Sequence, residues 1–286
     1  MNGRKLLSRL LIHIILLLCI KVHGQNLRVI YDYRYHIDTL NIDKEDSENM
    51  ILDIEKTKSV FLSYPRFIHD SLMNNRNSRS NDYQNPLEMD KSKIKDLIVK
   101  NYNSSKISLY TQIGPQTYNI TDEVDIKWDI SNETKILNGI KVQRATTNFI
   151  GRKWTAWFSN DYPIQDGPYK FRDLPGLILE LYDNEKHHHF TMISLKNNSF
   201  TVSNVLESAK DISASKFAQL WKDYVFNPSK YYVSSASGSG YGMSVTMDGK
   251  SYSEVELLRE IDKREKEKLK KINNHLDLEL YNIHKK

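Results

Sequence analysis

Apolar and polar residues alternate with a period of two along most of this chain, the spacing of strands that present one face to a core. Between Asn26 and Ile37, Val29, Tyr31, Tyr33 and Tyr35 fall on one side, and Ile30, Asp32, Arg34 and His36 on the other. Glu48 to Tyr64 predicts two short strands, one through Met50, Leu52 and Ile54 and one through Val60–Leu62, with a turn near 55–58. Strands resume at Lys106–Thr111, Gln116–Ile120 and Ile126–Ile130. Thr134–Leu137 and Ile140–Phe149 flank Asn138-Gly139, a favoured two-residue hairpin turn because both positions take positive φ.

The next strand carries Trp154, Ala156 and Phe158 on one side, with Thr155 and Trp157 on the other. A loop follows that holds Pro163, Gly167-Pro168 and Pro175-Gly176. Proline fixes φ and glycine admits positive φ, so a connection this constrained is expected to be ordered. The chain then returns to a strand, with Leu177, Leu179 and Leu181 opposed to Ile178, Glu180 and Tyr182, and turns at 183–186 into a partner strand through Phe190 and Met192. Residues 65–105 read as a polar insertion, with a short helix over Leu87–Val99. A further strand is expected at Ser199–Leu206. Ser213 then caps a helix with the apolar face Phe217, Leu220, Trp221, Tyr224 and Val225. Residues 234–242 form a flexible joint, and Ser253 with Glu256 opens a last helix, reaching about residue 275, as a capping box.

Successive hairpins with few helices predict a mainly β (α+β) fold. We expect a large, curved antiparallel sheet or half-barrel, one or two packed helices and a C-terminal helical tail. The domain boundaries are a leader over 1–24, the β domain over 25–233 with its insertion at 65–105, a joint and short hairpin over 234–252, and the tail over 253–286.

One resemblance is carried by the loop and its approach: Gly151-Arg152, Trp154, Ala156-Trp157, Pro163-Ile164, Gly167-Pro168-Tyr169-Lys170-Phe171 and Leu174-Pro175-Gly176-Leu177-Ile178. In these positions the chain resembles the GLPGLI family of Bacteroidetes envelope proteins, a likeness that extends over most of residues 26–200. Asp173 stands where the family's name has its first glycine. That family has no established activity, so the resemblance implies a fold and a compartment rather than a chemistry. The strand–loop–strand unit is also similar to the half-barrels of lipoprotein localisation factors, in which a tryptophan strand and a proline-bearing loop meet a concave apolar face.

Composition changes this picture in two ways. Arg4, Lys5 and Arg9 precede an apolar run from Leu10 to Ile20, which reads as a secretory leader ending near Gly24, with an uncleaved anchor as the alternative. The only cysteine, Cys19, lies in that leader, so the 262 residues that follow can form no disulfide and no thiolate metal site. They carry 37 Lys and Arg against 36 Asp and Glu, so the apparent basicity belongs to the leader and no nucleic-acid partner is indicated. Neither a glycine-rich nucleotide loop nor a G-x-S-x-G elbow occurs, since Gly238-Ser239-Gly240 sits in the serine-rich joint.

Trp154, Trp157, Tyr169, Phe171, Leu174, Pro175 and Leu177 are the candidate ligand- or partner-binding residues, with Pro163, Gly167, Pro168 and Gly176 shaping the loop. For most of these residues, however, a place in the core is the favoured reading. His187 and His189, two apart on one strand face, are weak metal candidates, the rival reading being a solvated hairpin end. Asp161, Asp166 and Asp173 can act as an acid–base set or simply as turn residues. No catalytic residue is assigned and no cofactor is expected. The expectation is an exported protein, periplasmic or at the cell surface, not membrane-spanning once processed. It would bind an apolar ligand or an envelope partner on the concave face without catalysis. The alternatives are a hydrolase or metal enzyme using the loop aspartates or histidines, and a scaffold acting through the C-terminal helix.

Overall fold

Strand β1 (Leu27–Tyr35) stands at the centre of one open twelve-stranded sheet. The computed structural model describes residues 26–76, 90–197, 208–232, 245–247 and 250–281. On one side of β1 follow β2 (Asp46–Ile54), β3 (Lys58–Ser63), β4 (Leu97–Asn101), β5 (Lys106–Ile113), β6 (Gln116–Glu123) and, at the edge, the short β12 (Lys210–Ile212). On the other side come β11 (His188–Asn197), β10 (Leu177–Asp183), β9 (Arg152–Ser159), β8 (Ile140–Phe149) and the edge strand β7 (Asp129–Leu137). Two antiparallel meanders are thus joined where β1 pairs with β11. Only β12 runs parallel to its neighbour, β6, which makes the sheet mixed.

Alternation along the strands sorts side chains onto two faces. Val29, Tyr31 and Tyr33 of β1, Met50, Leu52 and Ile54 of β2, Phe61, Ile98, Leu109, Trp154, Phe158, Leu181 and Phe190 join the large core. The opposite face of β2–β4 carries a small cluster of Ile51, Val60, Leu62 and Leu97. It is covered by Tyr64 and Phe67 from helix α1 (Tyr64–Arg76). Under α1, Arg28 makes two bonds of 2.6 Å to Asp53.

Over the large core lie α2 (Ala214–Phe226), α3 (Glu254–Lys270) and the single turn α4 (Leu278–Tyr281), while β13 (Val245–Met247) and β14 (Lys250–Tyr252) form a separate hairpin. Ser213 caps α2 by accepting from the Lys216 amide, and Ser253 with Glu256 forms the capping box of α3. Asn138 and Gly139 take φ of 49° and 81°, the two positive values that a tight hairpin turn needs.

Two expectations change. The span 65–105 is not merely an insertion: it opens with α1 and contains β4, which is inside the sheet between β3 and β5. Among the described residues of the helix expected over 87–99, 90–96 are not helical and 97–99 are already strand. The pattern Ile94, Leu97, Ile98 suits either period over so short a run, and pairing with two neighbouring strands decides it. The described part of the tail docks on the sheet: beyond α3, the amides of Asn273 and Asn274 both reach the Ile37 carbonyl at 3.2 Å. The leader, the expected strand at 199–206 and the joint at 234–242 lie outside the described residues.

Loop backbone geometry yields a test. A Cβ on Gly176 would lie 2.1 Å from the Ser159 carbonyl oxygen, whereas Asp173 holds φ at 73°. Gly176→Ala should cost about 1–3 kcal/mol or more through forced displacement of backbone. Asp173→Gly should be neutral or stabilising, and Asp173→Val destabilising, because a β-branched residue tolerates positive φ worst. Urea unfolding of the three variants measures the order.

Candidate functional site

The loop from Asn160 to Gly176 crosses the large-core face of the sheet and is fastened there by backbone and by one buried amine. Leu177 donates to the Tyr162 carbonyl at 2.9 Å and Ile178 to the Asp166 carbonyl at 2.9 Å, so the loop's start is stitched to the strand that leaves it. Trp128 donates from Nε1 to the Arg172 carbonyl at 2.8 Å. Lys100, on β4, is wholly buried and ion-paired with the equally buried Asp166. Its Nζ also donates to the carbonyls of Gly167 at 2.5 Å and Phe171 at 3.3 Å. Asp166 accepts further bonds from Tyr102 Oη at 2.6 Å and the Gly167 amide at 2.7 Å. Burial pushes the Lys100 ammonium's pKa down, and the neighbouring Asp166 opposes that shift.

With the loop held this way, most of the candidate residues become interior. Trp154, Phe171, Leu174 and Leu177 are fully buried, Phe171 packing edge-on to Trp154 at 4.8 Å between ring centres. Pro175 and Pro163 are exposed, while Pro168, Gly167 and Gly176 are buried in the loop's folds. Trp157 faces away from Trp154, toward the opposite side of the sheet, where Lys135 Nζ lies 4.3 Å above its ring. The loop therefore fills the space it was expected to bound. The exception is Tyr169, which lines a cavity.

That cavity, of about 310 Å³, lies between the sheet and a roof made by α2, α3 and the segment 272–281, which forms a strap. The strap is pinned by Arg152, whose guanidinium donates to Asn274 Oδ1 at 2.6 Å, the His275 carbonyl at 2.7 Å and Asp183 Oδ2 at 3.0 Å. Lys170 adds a buried ion pair to Asp277 at 2.7 Å, and Leu278 donates to the Ile150 carbonyl at 3.1 Å. Aromatic residues dominate the walls: Tyr33 stacks on Phe190 at 4.1 Å and on Tyr35 at 4.8 Å, and Trp221 meets Tyr281 edge-on at 4.9 Å.

The polar groups in this wall are unusual. His188 sits opposite Tyr35 in the β1–β11 ladder, and its Nδ1 bonds to Tyr33 Oη at 2.8 Å. Its Nε2 is buried without a hydrogen-bond partner, as is Tyr169 Oη. Tyr169 also holds φ at 53°, a strained setting for a bulky residue. Burial, and then the charge of Arg152, hold the His188 imidazole's pKa well below its ordinary value, so it is neutral. Burial, with Asp277 and Asp96 adding to it, pushes the Tyr169 phenol upward. Asp96 accepts from Thr111 Oγ1 at 2.6 Å, and burial raises its pKa despite that bond.

The metal candidates do not converge. His189 lies on the opposite face, 3.0 Å from Glu180 Oε1, in a cluster that includes Lys135. Burial disfavours a charged Glu180, but bonds from His189 and Lys135 outweigh it and lower the carboxyl's pKa. His187 is near Glu185 and Asp183, with ligand-type atoms within 4.8 Å of one another. Both Asp183 oxygens are already engaged, by Arg152 and by the His188 amide at 2.9 Å, and the guanidinium there repels a cation. The three loop aspartates are separated in role: Asp166 is the buried partner of Lys100, while Asp161 and Asp173 are exposed.

A family model described as "Protein of unknown function (Porph_ging)" matches residues 70–180, which take in β4 to β9 and the whole loop. No curated protein matches the chain. Among solved structures, PNGF-II in a P21 crystal form is similar with a TM-score of 0.49 and 14% identity over 69% of this chain and 33% of that one. PNGF-II in a C2 form gives the same score and identity over 32% of its length, so the chain spans about a third of PNGF-II.

Sequence reading missed Lys100, Tyr33, His188, Asp96 and the strap. The signal for Lys100 was present: LIVKN places it in step with Ile98, and a lysine facing a core needs buried acceptors.

Two expected outcomes follow from these contacts. Lys100→Met should destabilise by roughly 3–5 kcal/mol, because it strands the Asp166 carboxylate without its cation. Tyr169→Phe should raise the melting temperature of ligand-free protein, by roughly 1 kcal/mol of stability, since its hydroxyl has no partner to lose, while Tyr33→Phe should lower it. Calorimetric melts of the purified variants check both.

Proposed function

We propose that this chain is an exported envelope protein that binds a small, mainly apolar molecule in the cavity between the sheet and the strap. The observation that carries this reading is the cavity of about 310 Å³, whose walls are rich in aromatic residues and include Tyr169 and His188, each with a buried polar atom that lacks a partner. Pockets of this size with few, placed polar groups are the usual form of a small-molecule site. Support for export comes from the basic and apolar leader pattern over 1–24. The loop motif adds the resemblance to the GLPGLI envelope proteins. No helix among the described residues is long and apolar enough to cross a membrane. The binding surface moves from the loop, where the motif drew attention, to the cavity that Tyr169 shares with the strap.

Native mass spectrometry of protein isolated from its own cells should show a small molecule bound one to one. Protein that carries nothing, and whose melting point no small apolar compound raises, would count against the reading. The strap also makes stability pH-dependent. Burial, followed by the charge of Arg152, lowers the His275 imidazole's pKa to about 4, whereas an unfolded histidine titrates near 6.5. Between these values the unfolded chain binds the extra proton, so stability falls as pH drops from about 6.5 toward 4. Melts across that window should show the decline, and His275→Gln should make it shallower.

A further inference from the structure

We infer that the cavity's ligand is uncharged and presents a hydrogen-bond acceptor, of the carbonyl type, to Tyr169 Oη and His188 Nε2. This rests on the cavity being a ligand site, and it names the chemistry that site selects. Buried side-chain polar atoms are nearly always paired in folded proteins. Several lack partners among the described residues, but only these two belong to residues lining this cavity, and they come from separate elements, the loop and β11.

Both atoms are donors. Among the described residues, Tyr33 Oη bonds only to His188 Nδ1, and its phenolic hydrogen has no other acceptor there. The network therefore assigns Tyr33 as donor to Nδ1, which leaves the neutral imidazole's hydrogen on Nε2. Tyr169 offers its own hydroxyl hydrogen. Two unpaired donors call for lone pairs on the guest, and leaving them unmatched is costly, so a guest without acceptors is discriminated against.

Charge on the guest is disfavoured by the same wall. Its lysines are spoken for: Lys93 with Asp46 at 2.9 Å, Lys95 with Asp90 at 2.6 Å and Lys268 with Glu265 at 3.8 Å. Asp96, Glu265 and Asp277 line the same space, so a carboxylate guest would find paired cations and face three acidic groups. A cation would meet the N–H and O–H dipoles positive end first, and Asp277 and Glu265 already hold Lys170 and Lys268. A flat, neutral molecule suits both the donors and the stacked aromatic wall around Tyr33.

Three naphthalenes of one shape decide this by titration calorimetry: 2-acetylnaphthalene, 2-ethylnaphthalene and 2-naphthoate. The ketone should bind about tenfold tighter than the hydrocarbon, the worth of one well-made hydrogen bond, and the anion weakest. Tyr169→Phe, which keeps the shape and removes only the donor, should bring the ketone down toward the hydrocarbon and leave the hydrocarbon unchanged. Equal binding of ketone and hydrocarbon, or an unaffected ketone in Tyr169→Phe, overturns the acceptor inference while the cavity reading stands. Tightest binding by the naphthoate overturns the uncharged guest. No binding by any of the three, with no change in melting point, overturns the cavity reading itself.

Discussion

A buried ammonium on a central strand has to find acceptors, and in this protein a loop supplies them. Lys100 is ion-paired with Asp166 and donates to two carbonyls of the same loop, so the chain between β9 and β10 cannot leave the sheet without stranding a charge. Everything apolar in the loop follows from that fastening. Phe171 reaches Trp154 and Phe149, and Leu174 has no exposed surface. The loop is a plug in the core of the β7–β11 half, which is why its prolines and glycines read so clearly as an ordered segment.

Arg152 does for the C-terminal strap what Lys100 does for the loop. From the first residue of β9 it reaches a side-chain amide and two carbonyls of the strap. Asp183, which accepts from the same guanidinium, also accepts the His188 amide, so the strap's anchor and the cavity's histidine share one carboxylate. The strap divides the space over the sheet. On one side is the aromatic cavity, on the other a wider groove of about 1000 Å³ bounded by α2. Trp221, His275 and Tyr281 belong to both walls, so the packing of one aromatic cluster sets the shape of each.

Local signals in the sequence were reliable wherever neighbouring residues settle the conformation. The Asn138-Gly139 turn, the Ser213 cap and the Ser253–Glu256 capping box all depend on residues within four of one another, and all are present. The tyrosine face of β1 was equally plain, because period two leaves no ambiguity over nine residues. The span after α1 was harder to read. A five-residue strand such as β4 has too few positions to show its period, and its polar surroundings hid it. The candidate site was legible in part. Tyr169 stood out through its motif, but the loop's other aromatic residues are interior, and nothing local distinguishes a side chain that lines a cavity from one that fills it.

By itself the sequence determined that strands dominate, where they turn, which helices are capped, that the loop is ordered, and that a chain with one cysteine holds no internal disulfide. These properties arise from φ preferences, alternation and composition, which act over a few residues. Tertiary structure alone decided that Lys100 on β4 meets Asp166 across 66 positions, that residues 272–281 close over a sheet begun at residue 27, and that Tyr169 and His188 face one cavity. Those meetings depend on strand order and on long-range desolvation, for which no stretch of adjacent residues carries a signal.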